Sequence, residues 1–125
     1  MAAETVVLRR SETQETIWRL SVANSLFGRF RGLMGRRALA AGEGLYLPGT
    51  NSIHMLFMRF PIDCIFLGAP RSDGAQPIVA VRSCLRPWTS VVWWIRGARG
   101  AVEVPAGAAE QARLRVGDDI KLEPE

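Results

Sequence analysis

The chain has one histidine, two cysteines and, among sixteen basic residues, one lysine. Each scarcity excludes a kind of chemistry. His54 alone can barely supply the nitrogen ligands of a zinc centre, and Cys64 and Cys84 form no CxxC pair. Both cysteines are therefore expected as small apolar core residues, with a disulfide between them left open. No Walker loop, dinucleotide fingerprint, nucleophile elbow or HExxH pair occurs, so the familiar cofactor enzymes are disfavoured and no cofactor or metal is expected. No apolar run is long enough to cross a membrane as a helix. The opening MAAETVVLRR meets charge after a few apolar residues, unlike a secretion signal, so the default expectation is a cytoplasmic chain without a membrane partner.

What is present is sufficient for one core. With 125 residues, 48% of them hydrophobic and 22% charged, residues 1–125 read as a single domain that folds without metal or staples. The formal charge is +4, carried by arginine. A GC-rich coding sequence accounts for that bias without a nucleic-acid partner, and nucleic acid is not the expected ligand. The cluster Arg29, Arg31, Arg36 and Arg37 is the exception, because cations on a shared face attract RNA or another anionic polymer.

The periodicities are mostly those of strands. TVVLRR (Thr5–Arg10) and ETIWRLSV (Glu15–Val22) form an expected hairpin, with Trp18, Leu20 and Val22 alternating against Arg19 and Ser21. Asn24 and Ser25 suit a helix N-cap, and Leu26, Phe30, Leu33 and Met34 follow at helical spacing, which predicts a short amphipathic helix. AAGEG reads as a loop. Ile53–Phe57 and Pro61–Leu67 are expected as adjacent antiparallel strands, and RSDG as a turn. QPIVAVRS should place Ile78 and Ala80 on one face and Val79 and Val81 on the other. LRPWTS is a loop, VVWWIRG an aromatic strand, and GAVEVP a strand ending at Pro105. GAAEQARLR has the composition of a second short helix, and VGDDIKLE closes as turn and strand. About eight short strands and two short helices predict a mainly β domain, a sandwich or barrel.

Polar residues gather in TNSIHMLFMRFPID, where Asn51, His54 and Asp63 lie among apolar neighbours. A histidine oriented by a carboxylate suits general-base chemistry, whereas a lone histidine in apolar surroundings also suits a hydrogen-bonded core or rim residue. Asp63 stands between Ile62 and Cys64, where a buried carboxylate needs an arginine, such as Arg59, Arg86 or Arg96, or backbone donors. Trp88, Trp93 and Trp94 crowd the stretch after Arg86. Adjacent tryptophans on a strand face opposite ways, so one must be covered from outside the core or stay exposed.

The blocks GLMGRRAL, GEGLYL, TNSIHMLFMRFPIDCIFL, LRPW and VEVPAGAAEQARLRVGDDI resemble the family known as domain of unknown function 192, over nearly all the chain from Trp18 onward. The resemblance implies a small β-sandwich or barrel-like domain with the GLM block on a helix and the GD turn leading into the last strand. Where many relatives look like FWMKNTxxPLD, this chain keeps Met55, Pro61 and Asp63 but has His54 for Trp, Leu56 for Lys and Phe57 for Asn. Any site built on that Lys and Asn does not transfer.

Two functional expectations follow. One is a non-catalytic binding module for a small polar ligand or a protein, its groove bordered by Asn51, His54, Asp63, Arg86 and Trp88. The other is a small hydrolase or isomerase with His54 as base, Asp63 as its orienting partner and an arginine holding an anion. RNA or anionic-polymer binding through Arg29 to Arg37 is a third.

Overall fold

A computed structural model describes residues 4–23, 39–55 and 59–125; the side chain of His54 lies outside the description. The expected N-terminal helix, the arginine cluster from Arg29 to Arg37, and Leu56 and Phe57 also fall outside it. The strands are β1 (Thr5–Arg10), β2 (Thr16–Val22), β3 (Glu43–Pro48), β4 (Ile53–His54), β5 (Ile62–Leu67), β6 (Gln76–Leu85), β7 (Val91–Val92), β8 (Gly100–Pro105) and β9 (Asp119–Pro124). Among the described residues a short helix, α1 (Ala108–Gln111), precedes β9.

Seven strands close into a barrel in the order β1-β2-β3-β8-β5-β6-β9, and β4 pairs with β7 in a separate two-stranded ribbon. Closure leaves those seven strands no free edge. All pairings are antiparallel except β2 with β3, where Arg19 to Val22 lie beside Glu43 to Tyr46. A parallel pair needs a long connection, and residues 23–42 separate the two strands in the chain.

Two apolar clusters follow from the alternation of side chains. Leu8, Trp18, Leu20, Ile65, Ile78, Val102, Val104 and Ile120, drawn from six barrel strands, fill the interior. Leu45, Leu47, Ile62, Cys64, Phe66 and Ala101 form a second cluster on the outside of the same strands, joined by Met55, Phe60, Val92 and Ala98. Strand β5 is consequently buried along its whole length. At Gly44 the backbone approaches its interior neighbours closely. A Cβ there would lie 2.6 Å from the carbonyl oxygen of Glu103 and 2.8 Å from both Leu20 and Val104.

Several expectations require correction. Ile53 and His54 pair with Val92 and Val91, whereas β5 pairs with β6 and β8, so the two segments are not neighbouring strands of one sheet. Ile78 joins the interior and Ala80 the outer cluster, because the β5–β6 register shifts between Phe66 and Leu67 and the bulge re-aims the side chains. The AAGEG stretch is only partly a loop, because Glu43 and Gly44 begin β3. Both cysteines are free, Cys64 buried and Cys84 exposed. Cys84 lies where the last residues of β6 leave the covered part of the barrel.

Candidate functional site

The β4–β7 ribbon is the centre of a flap laid over the outer cluster, and a chain of backbone hydrogen bonds holds it. The N–H of Gly49 donates to the carbonyl of Arg99 at 2.9 Å, and that of Ile95 to the carbonyl of Asn51 at 2.8 Å. Met55 donates to Ser90 at 2.9 Å, and Trp88 donates back to Met55 at 2.8 Å. The 86–90 turn is closed by the Arg86 N–H donating to the Ser90 hydroxyl at 2.8 Å. Asn51, His54, Arg86 and Trp88 thus belong to one unit by their backbones.

The two sides of the flap differ in chemistry. Underneath, Met55, Val92 and Ala98 are buried, with Ile53, Leu85 and Ile95 packed against the outer cluster. On the solvent side Trp88 is 53% exposed, Val91 44%, Trp93 79% and Trp94 65%. Only Val91 and Val92 of the expected aromatic strand pair as strand, so Trp93 and Trp94 do not share the burial of a two-sided sheet. Trp88 has φ +67°, a left-handed conformation that a bulky residue adopts at a cost of about 1–3 kcal/mol. The Trp88–Met55 and Arg86–Ser90 bonds hold that turn in place.

Charge is equally uneven. Segments 44–62 and 74–102 contain no aspartate or glutamate, but they carry Arg59, Arg82, Arg86, Arg96 and Arg99, all exposed. Among the described residues the salt bridges are made elsewhere, by Arg9 with Glu123 at 3.2 Å, Arg10 with Asp118 at 3.7 Å, Arg19 with Glu125, and Arg71 with Asp119 at 2.7 Å.

Asp63 occupies a different environment. Its side chain is fully buried; one oxygen accepts from the Cys84 N–H at 2.8 Å, the other from the Gly107 and Ala109 N–H groups at 3.0 Å each. Gly107, at φ +90°, begins α1 without a side-chain cap of its own, and the Asp63 carboxylate takes over that task from β5. Backbone donors, not Arg59, Arg86 or Arg96, satisfy the charge. Both carboxylate oxygens are occupied in joining β5, β6 and the start of α1.

Glu103 carries no signal in the sequence, since an acid between Val102 and Val104 reads as the solvent side of a strand. That side is covered. Glu103 pairs across the sheet with Leu45 and Cys64 and is only 9% exposed, and burial pushes its carboxyl up to about 7. The Cys64 thiol is raised well above its ordinary value, first by burial and then by Glu103. Among the described residues no group of His, Cys, Asp and Glu could hold a metal ion. A concavity of about 610 Å³ lies apart from these residues, lined by Ser83, Glu110, Arg113 and their neighbours.

Comparison with known proteins places this geometry among relatives. The DUF192 family profile, described as uncharacterized, matches residues 6–122. A UPF0127 protein of Thermococcus sibiricus is 33% identical over 121 residues, which cover 92% of this chain and 74% of that protein. A crystal structure of a candidate transcription regulator from Sinorhizobium meliloti has a TM-score of 0.77 at 23% identity, covering 97% of this chain and 94% of that one. A protein of unknown function from Novosphingobium aromaticivorans has a TM-score of 0.76 at 20% identity, covering 94% and 83%. These two structures show the same fold.

Proposed function

The chain belongs to the DUF192 family, and from that premise we propose that it is a non-catalytic binding module whose flap docks a protein partner. The observation that carries this reading is the exposure of Trp88, Val91, Trp93 and Trp94 on a ribbon whose other side is anchored in the core. Large rigid aromatics beside arginine are the side chains from which interface hot spots are built. An anchored backbone lowers the entropy lost on docking. Projecting side chains favour a protein over a small polar ligand, which binds most tightly when enclosed.

In this reading Asn51, Arg86 and Trp88 border the contact surface, His54 accompanies them on β4, and Asp63 acts from below by fixing the barrel end. The hydrolase or isomerase alternative asks Asp63 to orient His54, a role for which its occupied oxygens are poorly suited. The regulator from Sinorhizobium meliloti shares the fold at 23% identity, so DNA or RNA is a competing ligand to test and not the premise.

Panning the purified chain against a random-peptide display library tests the reading. Selected peptides should lose about tenfold or more in affinity for the Trp93→Ala/Trp94→Ala chain, a loss of about 1.4 kcal/mol or more. Binders indifferent to both substitutions, or a library that yields none while small polar compounds raise the melting temperature, would count against it.

A further inference from the structure

We infer that the partner is a short acidic segment of another protein, with apolar side chains seated among the tryptophans and carboxylates paired with Arg86 and Arg96. The inference rests on the flap being the docking surface. It goes further by naming the partner's charge and its bounded length.

The first argument is complementarity. Between Gly74 and Val102 the chain has four arginines, Arg82, Arg86, Arg96 and Arg99, and no acid. The arginines of β1 and β2 and Arg71 find carboxylates within the molecule, at Asp118, Asp119, Glu123 and Glu125. The flap arginines have no acid on their own segments, and among the described residues none of them is in a salt bridge that an incoming carboxylate would have to displace. Arginine's planar fork also matches a carboxylate bidentately.

The second argument separates this partner from its competitors. A long polyanion extending beyond the flap would leave the acid-free segments and run onto a barrel with the exposed carboxylates Glu12, Glu15, Glu43 and Glu110, none of which is in a salt bridge among the described residues. A short acidic segment stays within the basic area. Val91 supports the same choice, since an aliphatic residue among the aromatics offers a base no ring face to stack on but offers a peptide side chain apolar contact. A symmetric pairing of two copies flap to flap is disfavoured, because it would bring arginine against arginine.

The composition of the selected peptides tests the inference separately from the site. Peptides whose binding depends on Trp93 and Trp94 should be enriched in Asp and Glu beside apolar residues, and salt should weaken them. The Arg86→Glu/Arg96→Glu chain should bind them about tenfold or more weakly and should select basic peptides instead. A tryptophan-dependent pool without acidic enrichment overturns the partner class and leaves the site standing. A tryptophan-independent pool overturns both. Saturable binding of oligo-dT or of phosphatidylglycerol vesicles, with no peptide enriched, assigns the flap to nucleic acid or membrane and also overturns the inference.

Discussion

The barrel wall around β1, β2 and β9 and the flap over the opposite cluster use the same residue type in opposite ways. On the wall, arginines face carboxylates of the same molecule, and Arg9, Arg10, Arg19 and Arg71 are all paired. On the flap, arginines stand beside exposed tryptophans on segments without an acid. Exposed ion pairs contribute about 0–1 kcal/mol each, so pairing on the wall does little for stability. What it removes is free charge. The contrast locates stability in the barrel interior and its Asp63 pin, and leaves attraction for other molecules to the flap.

The largest expected effect would come from breaking the pin. Asp63→Ala leaves the N–H groups of Cys84, Gly107 and Ala109 without their acceptor and should cost on the order of 4 kcal/mol in urea unfolding. Asp63→Asn should lose nearly as much, because one oxygen becomes a donor facing donors. A loss below about 1 kcal/mol would mean that the barrel does not depend on this residue. Next in size is Gly44→Ala, whose methyl would meet the Glu103 carbonyl and should cost about 2–3 kcal/mol through backbone displacement.

Glu103 gives a prediction in pH. Burial holds its carboxyl near 7 in the folded chain against an ordinary 4.5, so the native state favours the protonated form. The associated stability is fully present below 4.5 and is lost as pH rises through about 7. Glu103→Gln should therefore gain on the unsubstituted chain between pH 5 and pH 8, by up to about 3 kcal/mol. Parallel unfolding curves across that range would remove the burial argument. The smallest effect is expected on the flap, where Trp93→Ala should change stability by less than about 0.5 kcal/mol. A loss of several kcal/mol would show that Trp93 holds the fold together and would erase the contrast.

Much of the scaffold was legible in the sequence, because alternation reports local pairing. Thr5–Arg10 and the GAVEVP strand have the bounds their patterns predict, and the short helix after Gly107 is present. What alternation cannot carry is which strand lies beside which. Ile53–His54 looks like a neighbour of β5 by proximity in the chain, but its pairing with Val91–Val92 is set by contacts across nearly forty residues. The β6 bulge is invisible for the same reason, since it exists only relative to β5. In the site, the need of Asp63 for backbone donors or an arginine was readable, whereas the identity of those donors depended on where α1 packs. The burial of Glu103 was unreadable, because nothing local reveals that the outside of the barrel is covered.

Hydroxyl-radical footprinting of the intact chain with a library-selected acidic peptide tests the division between wall and flap most directly. The peptide should protect Trp88, Trp93 and Trp94 and leave side chains of β1, β2 and β9 labelled as in the free chain. Protection centred on those three strands, with the tryptophans labelled as before, would contradict it.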